Sequence, residues 1–189
     1  MEKTNQIDRS LKVRLVEVAA AALSKPRAFK LPTMRELAAS AGVAPGAAYR
    51  HFKSQDELFL AVILFLFTDM ELELQKATRN KSSSKEIVQA MAHAYVKWGI
   101  SNSGAYQLIL ETTDDEAVIK SGQRAGLHII PSLAALLSNS GLPTPESSKL
   151  ATQLWVSLHG IVSLRNHKTG MPWVNTVEEQ VEDLLKIYI

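Results

Sequence analysis

Residues 33–53 have the sequence TMRELAASAGVAPGAAYRHFK, which predicts two short helices joined by a tight turn. Thr33 is a typical helix-capping residue for the first helix. Gly42 ends that helix because glycine tolerates the positive φ that closes it. The second helix opens with Pro45 in its first turn, where a missing N–H group costs nothing. The stretch therefore predicts a helix-turn-helix.

Three polar side chains at the end of the second helix are suited to bind phosphate. Tyr49, His51 and Lys53 offer a phenol, an imidazole and an ammonium group, and such donors form charge-assisted bonds with phosphate oxygens. For each of the three, the alternative is an ordinary solvated surface position. Phe52 is assigned to the core. The phosphate reading predicts contacts that fix register on DNA without reading its sequence.

The second helix is also expected to approach the bases. Ala44, Pro45 and Ala47 offer only methyl and ring contacts, which suit the C5-methyl group of thymine. Arg35 and Arg50 can bond guanine edges, although Arg50 can equally contact phosphate or stay solvated. The predicted DNA-binding residues are Thr33, Arg35, Ala44, Pro45, Gly46, Ala47, Tyr49, Arg50, His51 and Lys53.

This region resembles the DNA-binding domain of the TetR family of bacterial transcriptional regulators over roughly residues 8 to 65. The resemblance rests on Gly42-Val43, Pro45-Gly46, Tyr49, His51-Phe52-Lys53, Ser54, Glu57 and Leu58. Two positions depart from the family pattern: Ala44 replaces a frequent serine or threonine, and Ala48 replaces a common leucine. The resemblance implies an all-helical dimer with a variable ligand-binding domain, and phosphate contacts from Thr33 and the amides after it.

Charge is distributed unevenly along the chain. Residues 1–55 hold ten lysines and arginines against four acidic residues, a balance of +6, whereas the remainder holds eleven against fifteen, a balance of −4. The alternative is a chance fluctuation of surface charge. Because the excess coincides with the helix-turn-helix, it favours a nucleic-acid partner for the N-terminal part.

Bulk properties indicate a globular protein without a covalent or metal framework. The 189 residues allow two small cores or one extended helical body, and the absence of cysteine excludes disulfides and thiolate metal sites. The longest apolar run, residues 58–67, is about half of the ~20 residues that span a bilayer. The first residues lack the apolar stretch of a secretion signal, so we expect a cytoplasmic protein with no membrane partner.

Helical signals extend along the whole chain. We predict an all-α fold of about nine helices: a three-helix helix-turn-helix domain over 1–55, with its core completed to about 65, and a ligand-binding and dimerisation domain over 56–189. Pro131 should kink or split the seventh helix. The predicted helices are about Asp8–Ser24, the two within 33–53, Ser54–Arg79, Ser84–Ile100, Ala105–Glu111, Asp114–Asn139, one following Pro143 and Pro145 to His167, and Thr176 to the C-terminus.

The C-terminal part contains a set of aromatic and polar residues that could line a ligand cavity. An ordinary helical core with satisfied polar tips is the alternative for each of them. The resemblance adds weight to the cavity because it implies a sensor domain here. The candidate ligand-binding residues are Tyr95, Trp98, Tyr106, Gln107, His128, Trp155 and His159.

The last two long helices are the predicted dimer interface. Trp155-x-x-x-His159-Gly160, with Leu164 beyond, resembles a signature in one branch of the family, and a glycine on a helical face suits close helix approach. The family pairs these helices in a four-helix bundle, and packing within one chain is the alternative. The candidate interface residues are Leu158, Ile161, Val162, Val177, Val181, Leu184 and Leu185.

Enzyme classes find little support. No histidine pair has metal-site spacing with supporting acids, and neither a phosphate-binding loop nor a dinucleotide glycine motif is present. We therefore expect no cofactor and no metal. The sequence predicts a ligand-responsive, sequence-specific transcriptional regulator and favours a repressor, which binds a palindromic double-stranded DNA operator as a homodimer and is released by a small-molecule effector. The alternative is a constitutive DNA-binding architectural protein without an effector.

Overall fold

The computed structural model of the chain describes residues 2–25, 32–111, 128–139 and 141–189. Across these ranges the chain is all-α, as predicted, with no strand. None of the described helices combines the length and apolar character that crossing a membrane requires. The nine described helices are α1 (Glu2–Leu23), α2 (Met34–Ser40), α3 (Pro45–His51), α4 (Gln55–Thr78), α5 (Ser84–Ser101), α6 (Ser103–Leu110), α7 (Ile129–Asn139), α8 (Thr144–His167) and α9 (Val177–Tyr188).

Most predicted boundaries lie within two residues of the observed ones. α9, for example, begins directly after Thr176, whose hydroxyl accepts the Glu179 N–H at 3.1 Å. α1 begins earlier than expected, at Glu2, since no helix-breaking residue precedes residue 8. The predicted turn at Ser101–Gly104 is shorter than expected, because α6 already begins at Ser103.

The predicted seventh helix lies partly outside the described residues, since residues 112–127 are not among them. Its described part is α7, which begins at Ile129. Pro131 therefore lies in the first turn of α7, where the amide that proline lacks has no helical partner to lose.

The first compact unit consists of residues 1–68 and 102–122. α6 belongs to this unit and packs on α1. The contact is unusually close: a Cβ atom added to Gly104 would lie 2.0 Å from the carbonyl oxygen of Leu23 and 2.6 Å from that of Lys25. Only glycine allows the start of α6 to approach the end of α1 this closely. The buried core of the described helices in this unit includes Leu15, Ala19, Leu23, Leu37, Ala48, Phe52, Leu58, Ile63, Tyr106 and Ile109.

The second compact unit consists of residues 69–101 and 123–189, in which α5 packs against α7, α8 and α9. Two buried polar links hold its helices together. The indole N–H of Trp98 donates to Asp69 at 2.7 Å, and the Asn166 side chain donates to the Gly99 carbonyl at 3.2 Å. Helix α4 is continuous across the boundary between the units at Thr68. The predicted functional division at residue 55 remains a prediction.

Candidate nucleic-acid interface

The turn between α2 and α3 has the geometry that the sequence predicted. Gly42 adopts a φ of +67°, and the N–H of Val43 donates back to the Ala38 carbonyl at 2.9 Å. A left-handed residue followed by such a bond is how a helix closes its last turn. α3 then starts at Pro45, three residues after the glycine, which completes the helix-turn-helix.

The N-terminus of α2 is held by a reciprocal cap. The hydroxyl of Thr33 accepts the Glu36 N–H at 3.3 Å and donates to the Glu36 carboxylate at 2.8 Å, while the Thr33 N–H donates to the same carboxylate at 2.7 Å. The cap at Thr33 is thus confirmed, and the sequence analysis did not include its partner Glu36. The first-turn amides not used by the cap are those of Met34 and Arg35, which remain available to an anion.

The first turn of α3 presents small exposed residues. Ala44, Pro45 and Gly46 are exposed, and a Cβ atom on Gly46 would meet no described atom within 4 Å. Ala47 differs from the expectation, because only 8% of it is exposed and its methyl group packs inward. The surface that α3 offers to a base is therefore formed by its first turn and by Arg50.

At the end of α3, nearby residues differ in whether their side chains pack in the core or face the solvent. Phe52 is 1% exposed and anchors the segment in the core, whereas Tyr49 is 57% exposed and Lys53 is exposed. His51 is half-buried. The N–H of Lys53 donates to the Glu57 carboxylate at 2.7 Å, so the backbone that carries its ammonium group is fixed to the start of α4.

This surface carries three exposed cations. In the part of the chain that the structure describes, no carboxylate forms an ion pair with Arg35, Arg50 or Lys53. The Glu36 and Glu57 carboxylates instead accept backbone or hydroxyl protons at the helix starts. An exposed, unpaired cationic surface on a helix-turn-helix is suited to bind the phosphates of duplex DNA.

The structure brings together only some of the predicted ligand residues. Tyr95 and Trp155 line a narrow apolar cleft in the second unit, and the His159 ring stacks on Trp155 with centroids 5.4 Å apart. The cavity volume of the cleft is only about 10 Å³, far below the 300 Å³ at which ligand pockets generally begin. Its lining residues are Leu74, Met91, Ala92, Tyr95, Ile129, Leu133, Trp155 and Leu158.

The remaining predicted ligand residues lie elsewhere. Trp98 is buried, and its indole N–H is bound to Asp69. His128 is exposed in the turn before α7. Tyr106 and Gln107 lie on α6 in the first unit, where Tyr106 is completely buried. No group of three histidine, aspartate or glutamate side chains within the described ranges is arranged to hold a metal ion.

Two family comparisons match most of this architecture. Residues 18–62 match the model described as bacterial regulatory proteins, tetR family. Residues 88–188, more than half of the chain, match the model described as tetracyclin repressor-like, C-terminal domain. This chain belongs to the TetR family. It is accordingly a non-enzymatic transcriptional regulator with an N-terminal DNA-binding domain.

Solved structures show the same TetR fold. A protein of unknown function from Rhodococcus sp. RHA1 is 21% identical with a TM-score of 0.76, covering 94% of this chain and 93% of its own. A TetR-like transcriptional regulator from the same source is 19% identical with a TM-score of 0.71 and 93% coverage of both chains. A TetR transcriptional regulator from Legionella pneumophila is 19% identical with a TM-score of 0.66, again covering 93% of both.

In this TetR-family chain, most of the residues predicted for the dimer interface serve the interior of a single chain. Leu158, Val162, Val181 and Leu185 are at most 2% exposed. Ile161, Val177 and Leu184 are half-buried. Val177 and Val181 also line an open groove of about 210 Å³ between α5 and α9, beside the His93 to Glu182 ion pair of 2.7 Å. The apolar periodicity from which these residues were chosen therefore marks the faces of α8 and α9 that pack inside one chain.

The outward face of the TetR-family C-terminal helices carries apolar residues that the sequence analysis did not assign to the interface. Val156 is 54% exposed, Leu164 is 48% exposed and Ile187 is 78% exposed. Val156, Gly160 and Leu164 are spaced by four residues and therefore share one face of α8. A Cβ atom on Gly160 would meet no described atom within 4 Å, so this face is open. The spacing of four residues between Val156, Gly160 and Leu164 was the signal in the sequence that could have identified this outward face.

Proposed function

We propose that this TetR-family regulator is a homodimeric repressor that occupies a palindromic operator and leaves it when a small molecule binds its second unit. The observation that carries the proposal is the helix-turn-helix with Arg35, Arg50 and Lys53 exposed on its surface and paired with no carboxylate among the described residues. We place the protein in the cytoplasm, where a DNA operator would be accessible to it.

The proposed DNA contacts are of two chemical kinds. Contacts to phosphate position the protein on the duplex, and contacts to base edges read the sequence. Tyr49, His51 and Lys53 hold one phosphate strand through hydroxyl, imidazole and ammonium donors. The free amides at the start of α2 hold a second phosphate. Arg50 and the exposed first turn of α3 approach the major-groove edges, where a guanidinium can bond guanine and a methyl group can contact thymine.

The dimer that presents two such units uses the open face of α8 together with α9. Val156, Gly160, Leu164 and Ile187 supply the apolar contact, and Gly160 permits close approach of the two helices. A contiguous exposed apolar stripe of this kind commonly marks a protein interface. Because the symmetry of a dimer is repeated in its DNA, the operator is a palindrome with half-sites about 34 to 36 Å apart, or a near multiple.

The effector enters the cleft between Tyr95 and Trp155. Its apolar lining suits an aromatic or apolar molecule, with the phenol of Tyr95 and the imidazole of His159 as orienting polar groups. Because the cavity volume of the cleft is only about 10 Å³, its walls must move apart when such a molecule binds. α4 begins beside the DNA-binding helices and contributes Leu74 to the cleft, so it is the natural element to transmit that movement.

A constitutive DNA-binding protein without an effector is the second candidate function. The narrowness of the cleft favours it, since a protein that never binds a ligand has no need of a larger space. The two functions agree on DNA binding and differ only in whether any small molecule weakens it.

The purified protein first selects the genomic DNA fragments that it binds. Its affinity for those fragments, measured with and without each compound of a metabolite panel, then tests the proposal. A coupling of about 1 to 3 kcal/mol predicts that an effector weakens DNA binding roughly 5- to 150-fold, and reciprocity predicts that DNA weakens effector binding by the same factor. A Trp155→Ala variant should lose the response, while Trp173→Ala, which changes a tryptophan outside the cleft, should keep it. No response to any compound supports constitutive binding, and an unchanged response in Trp155→Ala places the ligand elsewhere.

A further inference from the structure

Lys12 of α1 lies beside the segment that carries the proposed phosphate contacts. Its Nζ is 5.2 Å from the centroid of the Phe52 ring. Phe52 is buried and fixed, and its neighbours in the chain are His51 and Lys53. The fold thus places Lys12 against the side chain of a residue forty positions away in sequence, which lies between His51 and Lys53 in the chain.

The ammonium group of Lys12 keeps its charge available. The side chain is exposed, and in the described part of the chain no carboxylate is paired with it. Attraction to a ring face orients a cation without neutralising it. Lys76 and Lys186 differ, because Glu73 and Asp183 hold them at 2.6 and 3.0 Å.

The neighbouring cation on α1 has a local explanation that Lys12 lacks. Arg14 Nη2 lies 3.6 Å from the Cβ position of Gly42, at the end of α2, where a cation complements the exposed carbonyls of the helix. Lys12 and Arg14 are two residues apart and point to different sides of α1. Of these two cations, Lys12 is the one that lies against Phe52 at the end of α3.

We propose that Lys12 is a further DNA phosphate contact, contributed by α1 and oriented by the Phe52 ring. It extends the set formed by Tyr49, His51 and Lys53, and so it rests on the DNA interface proposed above. Since each neutralised phosphate releases counterions, the contact adds its own increment to the salt dependence of binding.

The salt dependence of affinity for a genomic duplex that the protein selects tests this role. Lys12→Met keeps an apolar stem over Phe52 and removes the charge, and it should flatten the slope of log affinity against log salt by about 0.9. Lys12→Arg should retain the wild-type slope, and Lys76→Met is the matched control. A wild-type slope in Lys12→Met with a flattened slope in Lys53→Ala overturns the Lys12 contact alone. Wild-type slopes in both variants overturn the proposed interface itself.

Amine labelling of the unaltered protein provides a measurement that does not depend on a variant folding. Acylation of each lysine with acetic anhydride, quantified by mass spectrometry, should show Lys12 and Lys53 protected by the duplex and Lys76 unaffected. Equal labelling of Lys12 with and without DNA would assign the residue to packing on Phe52 and overturn the proposal.

Discussion

At the scale of single residues, Lys53 combines a structural role of its backbone N–H with the proposed DNA-binding role of its ammonium group. Its N–H is bound to Glu57, while its ammonium group has no ion-pair partner among the described side chains. Lys53→Ala should therefore fold normally, bind all DNA sequences more weakly to a similar extent, and flatten the salt slope by about one. Fluorescence anisotropy over a salt series measures this, with Lys76→Ala as the control, and an unchanged slope removes Lys53 from the phosphate set.

Thr33 permits a second test at the same scale. Its side chain completes the cap of α2, and loss of such a cap costs about 1 kcal/mol. Thr33→Ala should lower the free energy of unfolding by about that amount in urea titrations, while Thr33→Ser should restore most of it. Equal stability of the two variants would contradict the capping role.

Predictions about single residues were confirmed where the conformation of the residue depends only on its neighbours in the chain. Thr33 as a cap and Gly42 at positive φ follow from chemistry within one helical turn. Ala47 was harder to predict, because whether its methyl group points to solvent or to the core depends on how α3 packs against other helices. The same dependence separates Phe52 from its exposed neighbours, although its large apolar side chain made that assignment straightforward.

At the scale of helices, the contact between α1 and α6 is the one that sequence could not anticipate. Gly104 was expected in a turn, yet it is the second residue of α6 and lies against the carbonyls of Leu23 and Lys25. Those residues are about eighty positions apart, and no periodicity in the chain links them. The extent of helices was predictable from capping and proline signals, whereas their partners depend on long-range packing.

Replacing Gly104 by alanine tests this contact. A methyl group 2.0 Å from a backbone oxygen forces the two helices apart, so Gly104→Ala should lose about 1 to 3 kcal/mol of unfolding free energy. Thermal unfolding followed by circular dichroism measures the loss. Gly46→Ala is the control, because the space around it is open and alanine favours a helix. Wild-type stability of Gly104→Ala would mean that α6 does not pack this closely.

At the scale of the whole molecule, the proposed dimer uses the outward face of α8. Val156→Glu should shift the protein to monomers that retain helical circular dichroism and no longer protect a palindromic site, because a carboxylate would be buried in an apolar interface. Sedimentation velocity measures the shift. Val174→Glu is the matched control, since Val174 is 98% exposed in the loop between α8 and α9. If Val156→Glu remains dimeric and Val174→Glu dissociates, the interface lies at the loop instead.

Selection of duplexes from a random-sequence library by the purified protein tests whether this chain is a dimeric, sequence-reading regulator. We predict enrichment of one palindrome whose half-site centres are about 34 to 36 Å apart, or a near multiple, with enrichment lost in Val156→Glu. Enrichment of a single asymmetric site, or of no sequence at all, would contradict a dimeric, sequence-reading regulator.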